Sequence, residues 1–126
     1  MRNIREEYVT KPNEDLFIES KKRGEAMVFR CQGSFSLVNH SRLKELEVEI
    51  AAAPVKRVIV DLRETSFLDS SGLGTLAAAL KKAMDQGTEL ALVPSEAARR
   101  TLSTAGLETV FQLFDSVEEA LQAPAR

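Results

Sequence analysis

The chain has 126 residues, 44% of them apolar, which is enough for one hydrophobic core and one domain. Charged residues make up 29% and nearly cancel to a formal net charge of −2, so the basic face of a nucleic-acid binder is not expected. No run approaches the roughly 20 apolar residues of a membrane span, and one cysteine with one histidine makes neither a disulfide framework nor a zinc site.

Residues 1–14 (MRNIREEYVTKPNE) are polar and aperiodic and read as an N-terminal arm without the apolar core of a secretory signal. With the lone Cys31, this suits a cytoplasmic domain over residues 15–123. The patch Leu16–Ile18 and the alternating run EAMVFRCQG, joined through Lys21-Lys22-Arg23-Gly24, predict an antiparallel pair. Met27, Phe29 and Cys31 point to one side of it, Val28 and Arg30 to the other. After Gly33 the pattern turns helical: Leu43, Leu46 and Ile50 form a stripe, with Lys44, Glu45, Glu47 and Glu49 on the remaining faces. Pro54 closes that helix.

The consecutive Val58-Ile59-Val60 predict a strand covered on both faces. The segment TSFLDSSGLGTL follows as a loop and a helix start. Leu73, Leu76, Ala77, Leu80, Ala83 and Met84 then make one helical stripe, with Lys81, Lys82 and Asp85 outside and Gly87 as the C-terminal cap. TELALV is another strand. Ser95 caps the next helix, which stops at Gly106. LETVFQLF is a strand or turn, and Asp115 with Glu118 has capping-box spacing before a closing helix that buries Val117, Ala120 and Leu121. The order β-β-α-β-α-β-α-(β)-α predicts an α/β fold, a mixed sheet backed by helices.

The stretch Asp69-Ser70-Ser71-Gly72-Leu73-Gly74 is the chemical question. A serine nucleophile needs a general base, yet the one histidine, His40, belongs to the first helix, and the G-x-S-x-G elbow is missing. A phosphate loop needs further glycines or a Lys-Ser/Thr pair. Ala77 could fill a third glycine slot, but no acidic residue follows about 20 positions on at a strand end. Helix capping by Asp69 or Ser70 is expected, but it does not explain two glycines in the first turn. A docking surface with bare backbone and a modifiable serine accounts for all of these features.

These residues carry a family resemblance. VIVDLRETSFLDSSGLGTLAAALKKAMDQGTELALV followed by SEAARRTLSTAGLETVFQLFDSVEEAL resembles the STAS domain of bacterial anti-sigma factor antagonists. Asp61-Leu62, Ser66-Phe67-Leu68, Asp69-Ser70-Ser71 and Gly72-Leu73-Gly74 fit its signature without a gap. The resemblance implies a four- to five-stranded sheet with about four helices mainly on one side. It implies a protein that is not an enzyme and holds no cofactor of its own. Its unphosphorylated form would bind an anti-sigma factor that is also a serine kinase, releasing the sigma factor. That kinase would bring the ATP and Mg²⁺, phosphorylate Ser70 in preference to Ser71, and be opposed by a PP2C-type phosphatase. Asp69, Ser70, Ser71, Gly72, Leu73, Gly74 and Ser36 would line the contact. No direct nucleic acid, no membrane insertion and at most a weak homodimer are expected. One departure is that Gly33-Ser34-Phe35-Ser36 stands where many antagonists carry Gly-Glu-[Leu/Ile]-Asp. It leaves open a stressosome-like scaffold, a lipid-transport accessory or a nucleotide-sensing STAS module.

Overall fold

The structure, a computed structural model, describes residues 15–125, so the arm expected over residues 1–14 lies outside the described residues. Five strands form one sheet in the order β1-β2-β3-β4-β5. These are β1 (Leu16–Arg23), β2 (Ala26–Phe35), β3 (Arg57–Leu68), β4 (Glu89–Pro94) and β5 (Gln112–Leu113). β1 and β2 are antiparallel, and the remaining neighbours are parallel. The parallel pairs are connected through α1 (His40–Ala52), α2 (Ser70–Asp85) and α3 (Glu96–Thr104), with α4 (Val117–Gln122) closing the chain. No described helix is long and apolar enough to cross a membrane.

The run Val58-Ile59-Val60 sits at the centre of the sheet and is covered on both faces, as its unbroken apolar character requires. On one face Phe29, Val58, Val60 and Leu92 pack under α1, α2 and α3 through Leu43, Leu46, Leu76, Ala79 and Leu102. On the other, Val28, Ile59 and Val93 meet Val117 and Ala120 of α4. Each fully buried Leu, Ile or Val contributes about 1.5–3 kcal/mol relative to an exposed one. These layers therefore hold the helices on the sheet.

Several expectations are corrected. β2 runs on to Phe35, past Gly33, and a single 3-10 turn at Leu37–Asn39 precedes α1. Glu47 is buried, because α1 presses it against α2, where Lys82 Nζ donates to its Oε1 at 2.9 Å. Thr65–Leu68 is strand and not loop. The buried face of α2 is Gly72, Thr75, Leu76, Ala79 and Ala83, which leaves Ala77 and Met84 exposed. That rotation follows from the close seating of Gly72 described below. The cap of α4 is shifted by one residue: Ser116 Oγ accepts from Glu119 N, and Glu119 Oε2 accepts from Asp115 N. The Ser95 cap of α3 is as expected, with Ala98 N donating to its Oγ at 3.0 Å.

The pairing of β2 with β3 places the site. Between the pairs Arg30↔Asp61 and Gln32↔Glu64, and again between Gly33↔Thr65 and Ser34↔Phe67, β3 carries one residue more than β2. Such bulges bend the strand and re-aim its end. At the first of them the buried Asp61 accepts from Arg63 N at 3.1 Å and from its Nε and Nη2 at 3.0 and 2.9 Å. This hydrogen-bonded carboxylate lifts the Arg63 guanidinium above its ordinary pKa. The result sets Leu68 opposite Phe35, so Asp69 emerges beside the connection from β2 to α1.

Candidate functional site

Asp69 is the hinge of the site. It is the N-cap of α2, and its Oδ1 accepts from Gly72 N at 3.0 Å. Its Oδ2 accepts from Leu37 N, also at 3.0 Å. One carboxylate therefore ties the start of α2 to the 3-10 turn after β2. Both of its oxygens are engaged in positioning backbone, so Asp69 is not poised as a base for the neighbouring hydroxyls. The other candidate base, His40, is exposed as the first residue of α1.

Gly72 is buried, and its first expected role, bare backbone for a visiting molecule, is corrected. A Cβ there would lie 2.2 Å from Phe35 O and 2.7 Å from Phe35 Cδ1. The close approach is made by the protein's own β2 end. Gly74 is different: it is exposed, and a Cβ would meet nothing within 4 Å. The fold places no steric demand for glycine there.

Ser70, the first residue of α2, is exposed, whereas Ser71, Asp69 and Leu73 are half-buried. Ser36, expected in the contact, is only 3% exposed and its hydroxyl turns inward. Ser36 Oγ lies 2.6 Å from Ser34 Oγ, and Asn39 Nδ2 donates to Ser34 O at 2.7 Å. The structure therefore brings together Asp69, Ser70, Ser71, Leu73 and Gly74 as a partly open surface, with Gly72 and Ser36 beneath it.

Three residues not assigned to the contact from sequence lie close to this segment along the chain or through Asp69. Leu37 and Val38 in the 3-10 turn and Phe67 near the end of β3 are all exposed large apolar side chains. Leu37 is joined to Asp69 directly, and Phe67 is two residues before it. The signal was present in the adjacent Leu37-Val38, but that segment read as the run-in to a helix. Exposed apolar side chains near the polar Ser70 and Ser71 make this end of the sheet a candidate docking surface.

Comparison with known proteins agrees on the class. The STAS domain family model matches residues 17–120. Anti-sigma-F factor antagonist RsfB of Mycobacterium tuberculosis is 31% identical over 95 residues, covering 75% of this chain and 77% of that protein. Among solved structures, an anti-sigma factor antagonist from Mycobacterium paratuberculosis aligns with a TM-score of 0.75 at 24% identity, covering 86% and 92% of the two chains. The Bacillus anti-sigma factor antagonist SpoIIAA in its unphosphorylated form aligns at 0.67 and 22% identity, covering 85% and 93%. The chain belongs to the STAS domain family and is a relative of its anti-sigma factor antagonists. The five-stranded mixed sheet with four helices is the fold of that family.

Proposed function

We propose that this chain is a cytoplasmic anti-sigma factor antagonist switched by phosphate on Ser70. Unphosphorylated, it binds an anti-sigma factor that is also a serine kinase, and the bound sigma factor is released. The carrying observation is Ser70 itself, an exposed hydroxyl at the first position of α2, next to Asp69, which binds the amide of the exposed Leu37. Asp69 is engaged with backbone amides, which supports Ser70 as a receiver of a group and not as an attacking catalyst. The chain would thus be a substrate and binder, not an enzyme.

In the modification step the kinase holds ATP and Mg²⁺. Ser70 Oγ forms the new bond to the γ-phosphorus, its proton passes to a base of the kinase, and ADP leaves. The product carries about −1.5 to −2 charge where the helix N-terminus tolerates it. The docked partner does not tolerate it, because that charge lies next to Asp69 and would have to be desolvated in the contact. A PP2C-type phosphatase restores the hydroxyl.

The test is phosphopeptide mass spectrometry after incubation with Mg·ATP and the anti-sigma serine kinases encoded in the same genome. One phosphate on Ser70 is expected, lost in Ser70→Ala and removed by the phosphatase. No phosphate with any of these kinases, or phosphate confined to Ser71, overturns the proposal.

A further inference from the structure

The exposed large apolar side chains include a second group far from Ser70. Met84 is 68% exposed on the last turn of α2, and Val110 is 54% exposed in the turn before β5. At 1.5 Å per residue, Met84 lies about 21 Å along α2 from Ser70. Between Met84 and Val110 runs an apolar groove of about 250 Å³, floored by Leu80, Leu107 and Phe111. The docking reading of the Ser70 end does not account for it.

Two charges edge the groove, and their arrangement indicates what covers it. Lys81 and Asp85 both line it, one helical turn apart and opposite in sign. A partner carrying a single sign of charge would be attracted by one and repelled by the other. A second copy of this chain turned through a two-fold axis meets each with its opposite. Self-complementarity of this kind is what an isologous contact requires. A methionine is also well suited to fill such a groove, being unbranched and polarizable.

We infer that this groove is the contact of a homodimer in which each copy seats Met84 in the groove of the other. Lys81 of each copy then faces Asp85 of the second. The patch is small beside the roughly 800 Å² per partner of a stable complex, so the dimer is weak and concentration-dependent. Its geometry leaves both Ser70 ends outward, and a dimer would present two docking surfaces at once.

Sedimentation velocity over a concentration series tests this with charge-swapped variants at exposed positions, whose folding is checked by circular dichroism. The wild-type chain is expected to show a monomer–dimer equilibrium. Lys81→Glu and Asp85→Lys should each weaken it about tenfold or more, since each turns two attractive pairs repulsive. The double swap should restore it, and an equimolar mixture of the two single variants should form a heterodimer. A chain that stays monomeric to about 1 mM, whatever else the groove binds, overturns the inference. So does a dimer that neither single swap weakens.

Discussion

Gly72 and Gly74 lie two positions apart on α2 under opposite constraints, and substitution should separate them. At Gly72 an added methyl meets the Phe35 carbonyl, a backbone atom that cannot step aside without moving β2. Gly72→Ala should cost about 2–3 kcal/mol, the upper part of the roughly 1–3 kcal/mol typical of overpacking, and lower Tm by about 8 °C or more. At Gly74 the methyl enters open space. Gly74→Ala should therefore gain about 1 kcal/mol of helix propensity and raise Tm, while weakening partner binding if the bare backbone serves docking. Thermal melts of both variants, with a binding assay on the second, check the pair; equal effects would mean that the two positions are equally packed. Cys31 makes a further residue-scale case. Burial, with Asp61 adding to it and Arg42 opposing, pushes its thiol up to about 12. Because the folded value lies above the unfolded value of about 9.0, this group's stability contribution is full below pH 9. It declines as pH rises from there toward 12. Native protein at pH 8 should resist iodoacetamide for hours and react within minutes once unfolded, with rapid native labelling as the contrary result.

At the scale of elements, the shortest helix depends most on a single side chain. α4 has six residues, and its C-terminal end is held by Arg57 at the start of β3. Arg57 Nη1 donates to Ala120 O at 2.7 Å and to Ala123 O at 2.8 Å, while Nε and Nη2 donate to Glu89 Oε2 at 3.1 and 2.8 Å. Nη2 also donates to Pro124 O at 3.2 Å, so Arg57→Ala would leave a largely buried carboxylate and three carbonyls without these donors, at a cost of about 3 kcal/mol. Hydrogen exchange should then speed up across Val117–Gln122 ahead of the rest of the sheet; unchanged protection there would show that Val117 and Ala120 hold the helix unaided. None of this clamp was legible in the sequence, because it joins residues 32 to 67 positions apart. The elements themselves were legible wherever spacing is local, as in the Leu43-Leu46-Ile50 stripe and the Ser95 cap. The outward turn of Ala77 and Met84 was not. Their spacing fits the apolar stripe, and the demand of Gly72 for the Phe35 backbone decides the rotation of α2.

At the scale of the whole molecule, the site assembles where β2 and β3 end and α2 begins, and the register that brings them together rests on two extra residues in β3. A motif can be read along the chain, so Asp69 to Gly74 stood out. That Leu37 and Val38 join them, and that Ser34 and Ser36 bond to each other under the surface, depends on the bulges and could not be read. Two neutral hydroxyls bonded to each other in that buried place need no charged partner. On the proposed reading, a phosphate on Ser70 would act without reshaping the domain. Ser70 is exposed on the first turn of α2, where the helix end favours negative charge by about 0.3–1 kcal/mol. Repulsion from the adjacent Asp69, in water, is about 1 kcal/mol or less. These terms oppose each other, so Ser70→Asp should leave Tm within about 4 °C of wild type. Docking is another matter, since a charge covered by the partner must be desolvated. A penalty of only 3 kcal/mol already weakens affinity more than 100-fold. Calorimetry of Ser70→Asp with the anti-sigma partner should therefore show lost binding beside an unmoved melting curve. A large shift in Tm, or amide shifts spread across the sheet, would instead make the switch conformational.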